Sequence, residues 1–131
     1  VKSPEKLIEY VRRALSRAIT AKLLNNDGVL SLVNMTPALE RNLHDALQVT
    51  EYGSYLALEP GMAQRFLGKL KASAEKFAQQ GLTPSLLTPA GLRPALFSFV
   101  ERFIPGYSVL SHQEIHPSIK VRSLGVISVD E

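Results

Sequence analysis

Cysteine is absent from this chain of 131 residues, and its absence excludes several kinds of chemistry at once. Disulfide frameworks, thiolate nucleophiles and cysteine-based zinc sites all need a residue that the chain does not contain. A chain of this length buries roughly two-thirds of the surface that its unfolded form exposes, so a core can form without covalent cross-links. The lack of cysteine also fits a reducing compartment.

Long apolar runs are missing as well. No run reaches the roughly 18 residues that a membrane-spanning helix needs. The first residues do not have the pattern of a signal peptide, so none is expected here. Val1 leads directly into Lys2-Ser3-Pro4, which we interpret as the start of a fragment.

A strong charge of one sign is also lacking, because 15 basic residues face 12 acidic ones, for a net charge of +3. The densest basic cluster is Arg12, Arg13 and Arg17, which lie among apolar residues at helical spacing. Proteins that bind nucleic acids usually carry a clustered basic face with aromatic residues for stacking. We therefore expect no nucleic-acid partner, and a basic nucleic-acid-binding adaptor remains an alternative only.

Recognisable catalytic motifs are scarce. Neither a phosphate-binding loop nor a nucleophile elbow occurs, and the glutamates are scattered. The segment from His112 to His116 has histidines four residues apart with Glu114 between them, which resembles a zinc site. The metalloprotease motif, however, places its glutamate directly after the first histidine. We expect no catalytic residue, no cofactor and no metal; the alternative is a small metal-dependent hydrolase that uses His112, Glu114 and His116.

Periodicity predicts an α/β (α+β) fold, with helices packed on small mixed sheets. The first helix begins at Ser3-Pro4-Glu5, and its apolar stripe is expected to face the core. Further helices are predicted to begin at Thr36-Pro37, at Pro60 and at Thr88-Pro89. Because of Pro94, the last of them is expected either to begin its regular part near Arg93 or to kink. Gly81 is the expected end of the Pro60 helix. The apolar stripe of the first helix consists of Leu7, Ile8, Val11, Leu15, Ala18 and Ile19, and that of the second of Leu39, Leu43, Ala46 and Leu47. The predicted strands are Val29 to Val33, Gly53 to Leu58, Leu82 to Leu87, Tyr107 to Ser111, and one or two strands from Ile119 to Val129.

Gly53 is the expected joint between two small subdomains, residues 1–52 and 53–131. Tyr52, Tyr55 and Met62 surround this joint. They are expected to form either a groove for a partner or the packing between the subdomains, and packing is favoured because aromatic residues usually lie in a core.

An ordered set of motifs resembles the C-terminal part of the cytoplasmic domain of the type III secretion export-gate family, which has flagellar and injectisome members. The motifs are Tyr10 to Thr20, Gly53-Ser54-Tyr55-Leu56-Ala57-Leu58-Glu59-Pro60, Leu92-Arg93, Glu101 to Pro105, Val109 to Ile115, and Gly125-Val126-Ile127. The extra His116 before Pro117 departs from the family pattern. The resemblance covers nearly the whole chain.

This resemblance implies that residues 1–52 are the third cytoplasmic subdomain, of a ring-building type, and residues 53–131 the fourth. It further implies a non-enzymatic module that assembles a homo-oligomeric ring, nonameric in the intact protein. The ring would dock export chaperones, substrates and components of the export ATPase complex, and reach the membrane only through an N-terminal half outside this sequence. The expected location is the cytoplasmic side of the bacterial inner membrane. The candidates for ring contacts are charged residues of the first two helices: Arg12, Arg13, Arg17, Glu40 and Arg41.

Overall fold

The computed structural model describes residues 4–129 and has an α/β architecture, which confirms the predicted fold class. In chain order the elements are α1 (Pro4–Ala14), α2 (Ser16–Ala21), β1 (Val29–Met35), α3 (Pro37–Ala46), β2 (Leu47–Thr50), β3 (Gly53–Leu56), α4 (Pro60–Gln79), β4 (Ser85–Thr88), α5 (Arg93–Phe103), β5 (Ser108–Ser111), a 3₁₀ turn (His112–Glu114) and β6 (Lys120–Ile127). Within residues 4–129, no helix combines the length and the hydropathy that crossing a bilayer requires.

Four strands form a parallel sheet in the order β5-β4-β1-β6, and β2 and β3 form a separate antiparallel hairpin. Strand β1 lies inside the sheet and is almost continuously buried, as expected for a parallel strand with both faces covered. Its side chains alternate between two apolar clusters. Leu30 and Leu32 contribute to one cluster with Leu110, while Val33 and Met35 contribute to a larger one with residues of α3, α4 and α5.

Two helix ends form as their sequences predict. The Thr36 hydroxyl accepts a hydrogen bond from the Leu39 amide at 3.2 Å, and Pro37 follows the cap, so α3 begins at the predicted place. Gly81 ends α4 with a φ of +69°, a left-handed conformation that glycine adopts without strain. Beside it, the amide of Leu82 donates to the carbonyl of Phe77 at 2.9 Å, which completes a Schellman motif.

The first helix differs from its prediction in two ways. The chain breaks at Leu15 into α1 and α2 instead of continuing as one helix. Its apolar stripe was expected to face the core, and this prediction is wrong for α1, which has no buried residue. The exposed fractions are 49% for Leu7, 54% for Ile8, 43% for Val11 and 52% for Leu15. The predicted cap Ser3 lies outside the described residues.

Other boundaries shift by a few residues. Leu47 was assigned to the second helical stripe but begins β2, because α3 ends at Ala46 and the hairpin starts directly after it. Helix α5 begins at Arg93, one of the two predicted alternatives, and not at Thr88-Pro89. Pro94 therefore lies in the first turn, where its missing N–H costs nothing. The segment predicted as one or two last strands forms a single strand, β6.

The predicted subdomain boundary falls in the turn of the β2–β3 hairpin, between Tyr52 and Gly53. Strand β1 precedes this boundary, yet its neighbours β4 and β6 both follow it. The larger apolar cluster likewise runs from Val33 to Val129. The division at residue 52 therefore stays a prediction about the longer protein, and the sheet and the core of this chain include residues from both sides of it.

Candidate functional site: helix α1 and the cleft beside it

Helix α1 contacts the rest of the chain through its polar face. Glu5, Glu9 and Arg12 are its three half-buried residues, and all the others are exposed. Their spacing of four and then three residues places them on one side of the helix. The Glu5 carboxylate accepts hydrogen bonds from the amide of Ser54 at 2.8 Å and from its hydroxyl at 2.9 Å, which ties α1 to the start of β3.

Glu9 and Arg12 belong to a four-residue ion cluster, completed by Arg93 at the start of α5 and Glu114 at the end of the 3₁₀ turn. Nη2 of Arg12 lies 2.7 Å from Oε2 of Glu114. Nε of Arg93 lies 3.3 Å from Oε1 of Glu114 and 3.5 Å from Oε2 of Glu9. The four charges alternate in sign and sum to zero, so each offsets part of the others' desolvation.

Glu114 is the most deeply buried member of the ion cluster, with 1% of its surface exposed. Its Oε1 accepts a hydrogen bond from the amide of Ser111 at 3.0 Å, while the Ser111 side chain accepts from the backbone of Glu114. This reciprocal pair is a capping box, which satisfies the first free amides of the short turn. Glu114 thus has two structural roles, because it caps the 3₁₀ turn and forms ion pairs with two arginines.

Burial shifts the titration of two cluster members. Desolvation raises the pKa of Glu9 above its ordinary value, with Glu114 adding to the rise, although the positive charge of Arg93 opposes it. Burial also lowers the pKa of Arg93, and the like charge of Arg12 lowers it further. The Arg93 guanidinium stands 5.3 Å from the centre of the Phe97 ring, a cation–π distance that compensates part of its desolvation.

Hydrogen bonding inside the ion cluster is incomplete. Among the described residues, Nε of Arg12, Nε of Arg93 and Oε2 of Glu114 are buried and have no partner in hydrogen-bonding geometry. The ion-pair distances nevertheless bring these groups within 2.7 to 3.5 Å of opposite charges. The two observations agree because an ion pair needs only a short distance, whereas a hydrogen bond also needs the N–H group to be aligned with its acceptor. The charges attract one another at short range, without the alignment that makes bidentate pairs rigid.

A cleft of about 750 Å³ opens beside α1. One wall is α1, a second is the β2–β3 hairpin, and a third is the connection between β4 and α5 together with the first turn of α5. The residues that line it are Glu5, Lys6, Glu9, Tyr10, Arg13, Leu47, Val49, Ser54, Ala90, Gly91 and Pro94. Its volume lies in the range of sites that bind small molecules or a few side chains of a partner.

The predicted ring-contact residues are not gathered in one place. Arg12 is turned into the ion cluster, whereas Arg13 is exposed and lines the cleft. Arg17 lies on the exposed side of α2, with its guanidinium 3.2 Å from Nε2 of His116. Glu40 is half-buried and Arg41 exposed on α3. The structure leaves their role in a ring as a prediction.

The three predicted junction residues, Tyr52, Tyr55 and Met62, differ in how far they are exposed to solvent. Met62 packs against the larger apolar cluster, and its role at a subdomain junction stays a prediction. Tyr52 at the tip of the hairpin is 88% exposed, and Tyr55 on β3 is 51% exposed, so neither is a core residue of this chain. A groove for a partner therefore stays a prediction for the two tyrosines.

The segment proposed as a metal site has other partners. Glu114 is held by two arginines, His116 contacts Ser118 at 2.7 Å, and His112 is exposed. Within residues 4–129, no group of three or more histidines and carboxylates has a metal-binding arrangement. No sequence pattern indicated the ion pairing of Glu9 and Arg93 or the burial of Glu114. The available signal was the spacing of Glu5, Glu9 and Arg12, which marks a second face of α1.

Three comparisons place the chain among known proteins. The model of the FHIPEP family matches residues 1–120. The flagellar biosynthesis protein FlhA of Bacillus subtilis is 32% identical over 123 residues, which cover 94% of this chain and 18% of that protein.

Among solved structures, the nonameric SctV-C of EPEC superposes with a TM-score of 0.81 and is 28% identical, covering 97% of this chain and 38% of its own. The Chlamydia pneumoniae CdsV protein, solved in complex with CdsO, has a TM-score of 0.80 and 32% identity, covering 93% of this chain and 36% of its own. The present chain therefore spans less than a fifth of the curated relative and between a third and two-fifths of the solved chains.

Proposed function

Because the chain belongs to the FHIPEP family, the family of type III secretion export-gate proteins, we propose that it is part of the cytoplasmic domain of an export gate in a bacterial inner membrane. The observation that carries the proposal is the family match over residues 1–120, which extends from α1 to the start of β6. In this role the chain acts as an assembly and docking module and catalyses no reaction.

Assembly into a ring is the first part of the proposed function. Its support is the EPEC relative, which is nonameric and is similar over 97% of this chain. A ring closes through contacts between two different surfaces of each copy. Arg13, Arg17, Glu40 and Arg41 are the proposed contact residues, and all but Glu40 are exposed. Arg12 is engaged by Glu114, so we propose that it affects the ring only through the position of α1.

Docking of export chaperones, substrates and components of the export ATPase complex is the second part. Its support is the CdsV relative, which was solved in complex with CdsO. On this chain the β2–β3 hairpin offers two exposed tyrosines, Tyr52 and Tyr55. Tyrosine is enriched among the residues that dominate protein interfaces, because it buries a large ring and keeps a polar tip.

The two alternatives drawn from the sequence are not favoured. A metal-dependent hydrolase would need the Glu114 carboxylate, which is occupied by Arg12 and Arg93. A nucleic-acid adaptor would need the arginine cluster as a free basic face, but the charge of Arg12 is offset by Glu114. Phosphate contacts require accessible cations.

An export assay in cells tests the proposal. The homologous segment of the Bacillus subtilis FlhA is replaced by this chain, and flagellin in the medium is measured. We expect the chimera to restore export, and the same chimera with Tyr52→Ala and Tyr55→Ala to lose at least about fivefold, as for the loss of an interface anchor. Phe103→Ala, at another exposed aromatic residue, is the matched control. A chimera that accumulates normally but exports nothing contradicts the proposal.

A further inference from the structure

Helix α1 stands apart from the hydrophobic core. Neither apolar cluster includes a residue of α1, and the clusters begin only at Ile19 on α2. The core-facing side of α1 carries Glu5, Glu9 and Arg12, while Leu7, Ile8 and Val11 are exposed. The hydrophobic effect therefore holds α1 less strongly than it holds the sheet, because the apolar side chains of α1 stay about half exposed.

A helix of this length does not persist alone. Isolated helices shorter than about 12 to 15 residues are marginal in water, and α1 has 11. Its helical state in this chain thus depends on its contacts with the body. These contacts include the hydrogen bonds of Glu5 with Ser54 and the ion pairs of Glu9 with Arg93 and of Arg12 with Glu114.

The body, in contrast, is held by its own packing. The sheet pairs β1 with β4 and β6, and both clusters are built from residues between Ile19 and Val129. Arg93 and Glu114 are fixed on this body, one by α5 and the other by the capping box with Ser111. They therefore form a preformed charged surface to which the helix binds.

We propose that the ion cluster is an electrostatic latch, which holds α1 against the sheet and lets the helix detach as a unit while the sheet stays folded. Because α1 forms one wall of the cleft beside the hairpin, detachment widens that cleft. The incomplete hydrogen bonding of Arg12, Arg93 and Glu114 fits a contact that opens and closes, since it lacks the alignment of a rigid bidentate pair. Local opening of this kind is common where few apolar contacts hold an element.

Neighbouring arginines on α1 provide a matched test. Arg12→Gln removes a charge from the latch, and Arg13→Gln removes the same charge from the exposed side of the same helix. Glu114→Gln removes the opposite charge but keeps a carbonyl oxygen that can accept from the Ser111 amide, so the capping box survives. The measurement is amide hydrogen exchange of the full 131-residue chain, compared between α1 and β1.

We expect Arg12→Gln and Glu114→Gln each to lower the protection of α1 at least about tenfold, with β1 unchanged within about twofold. Arg13→Gln should leave both elements as they are. The double variant Arg12→Gln with Glu114→Gln should lose less than the two single losses combined, because the pair acts together. The proposal is overturned if α1 and β1 lose protection together, if Arg12→Gln and Arg13→Gln behave alike, or if α1 is already unprotected in the unaltered chain.

Discussion

The Arg12 guanidinium and the Glu114 carboxylate meet at 2.7 Å, one on the first helix and the other at the end of the 3₁₀ turn after β5. Glu114 is 1% exposed and Arg12 is 23% exposed, so the pair lies at the border of the body. It shows that α1 turns its charged face inward. The orientation has consequences for stability, for dynamics and for what the helix presents to a partner.

Removal of the Glu114 carboxylate should be costly. Glu114→Ala leaves Arg93 buried with only Glu9 as an opposite charge and also deletes the capping box. The loss of one partner from a buried ion pair typically costs about 3 to 5 kcal/mol, and we expect about 3 kcal/mol here because Arg12 can turn to solvent. Urea unfolding measures it. His112→Ala, at an exposed position of the same turn, should stay within about 0.5 kcal/mol; equal losses would show that the ion cluster contributes nothing.

The inverted face of α1 predicts unequal costs for apolar substitutions. Val11→Ser should change the free energy of unfolding of this chain by no more than about 0.5 kcal/mol, because the side chain is 43% exposed. Leu43→Ala on α3 should cost about 2 to 5 kcal/mol, because Leu43 is fully buried in the larger cluster. Thermal or urea unfolding of both variants decides the matter. A loss above 2 kcal/mol for Val11→Ser would mean that the apolar face of α1 is buried.

Tyr107 makes stability depend on pH in the alkaline range. Burial raises the pKa of Tyr107 to about 12, and the hydrogen bond with Ser73 opposes part of the rise. The folded pKa lies above the ordinary value of 10, so the neutral phenol is favoured in the folded state. Its contribution is complete below pH 10 and is lost as the pH rises to about 12, at most about 3 kcal/mol.

The Tyr107→Phe variant tests that contribution. The hydroxyls of Tyr107 and Ser73 lie 2.7 Å apart in the core and share a hydrogen bond in which either can be the donor. Its loss should cost about 1 kcal/mol at neutral pH. Between pH 10 and 12, the variant should lose less stability than the unaltered chain. Parallel pH profiles of the two proteins would contradict the account of Tyr107.

Two glycines of one helical region form a matched pair. Gly81 has a φ of +69° and open space around an added Cβ, so Gly81→Ala should cost about 1 kcal/mol through backbone strain alone. Gly68 lies inside α4, also with open space, and Gly68→Ala should stabilise by up to about 1 kcal/mol. Gly81→Ala should lower the midpoint of thermal unfolding and Gly68→Ala should raise it. Shifts of the same sign would refute the assignment of Gly81 as the residue that ends α4.

The sequence predicted what is decided locally. The Thr36 cap and the glycine end at Gly81 follow from neighbouring residues, and both are confirmed. The apolar stripe of α1 was also predicted. Periodicity, however, shows only that a helix has an apolar and a polar face, and not which of the two packs against the rest of the protein. The meeting of Arg93 and Glu114 arises from separate segments that the parallel sheet brings together, so no local pattern contains it.

The proposed ring is tested most directly by sedimentation of a chimeric cytosolic domain, in which this chain replaces the homologous segment of the EPEC protein. The account predicts a nonamer. The double variant Arg13→Glu with Arg17→Glu should shift the chimera towards monomers, whereas Lys69→Glu with Lys71→Glu, an equal charge change at exposed positions of α4, should leave the nonamer intact. A chimera that stays monomeric at all concentrations while circular dichroism reports a folded domain would contradict the assembly role of this chain.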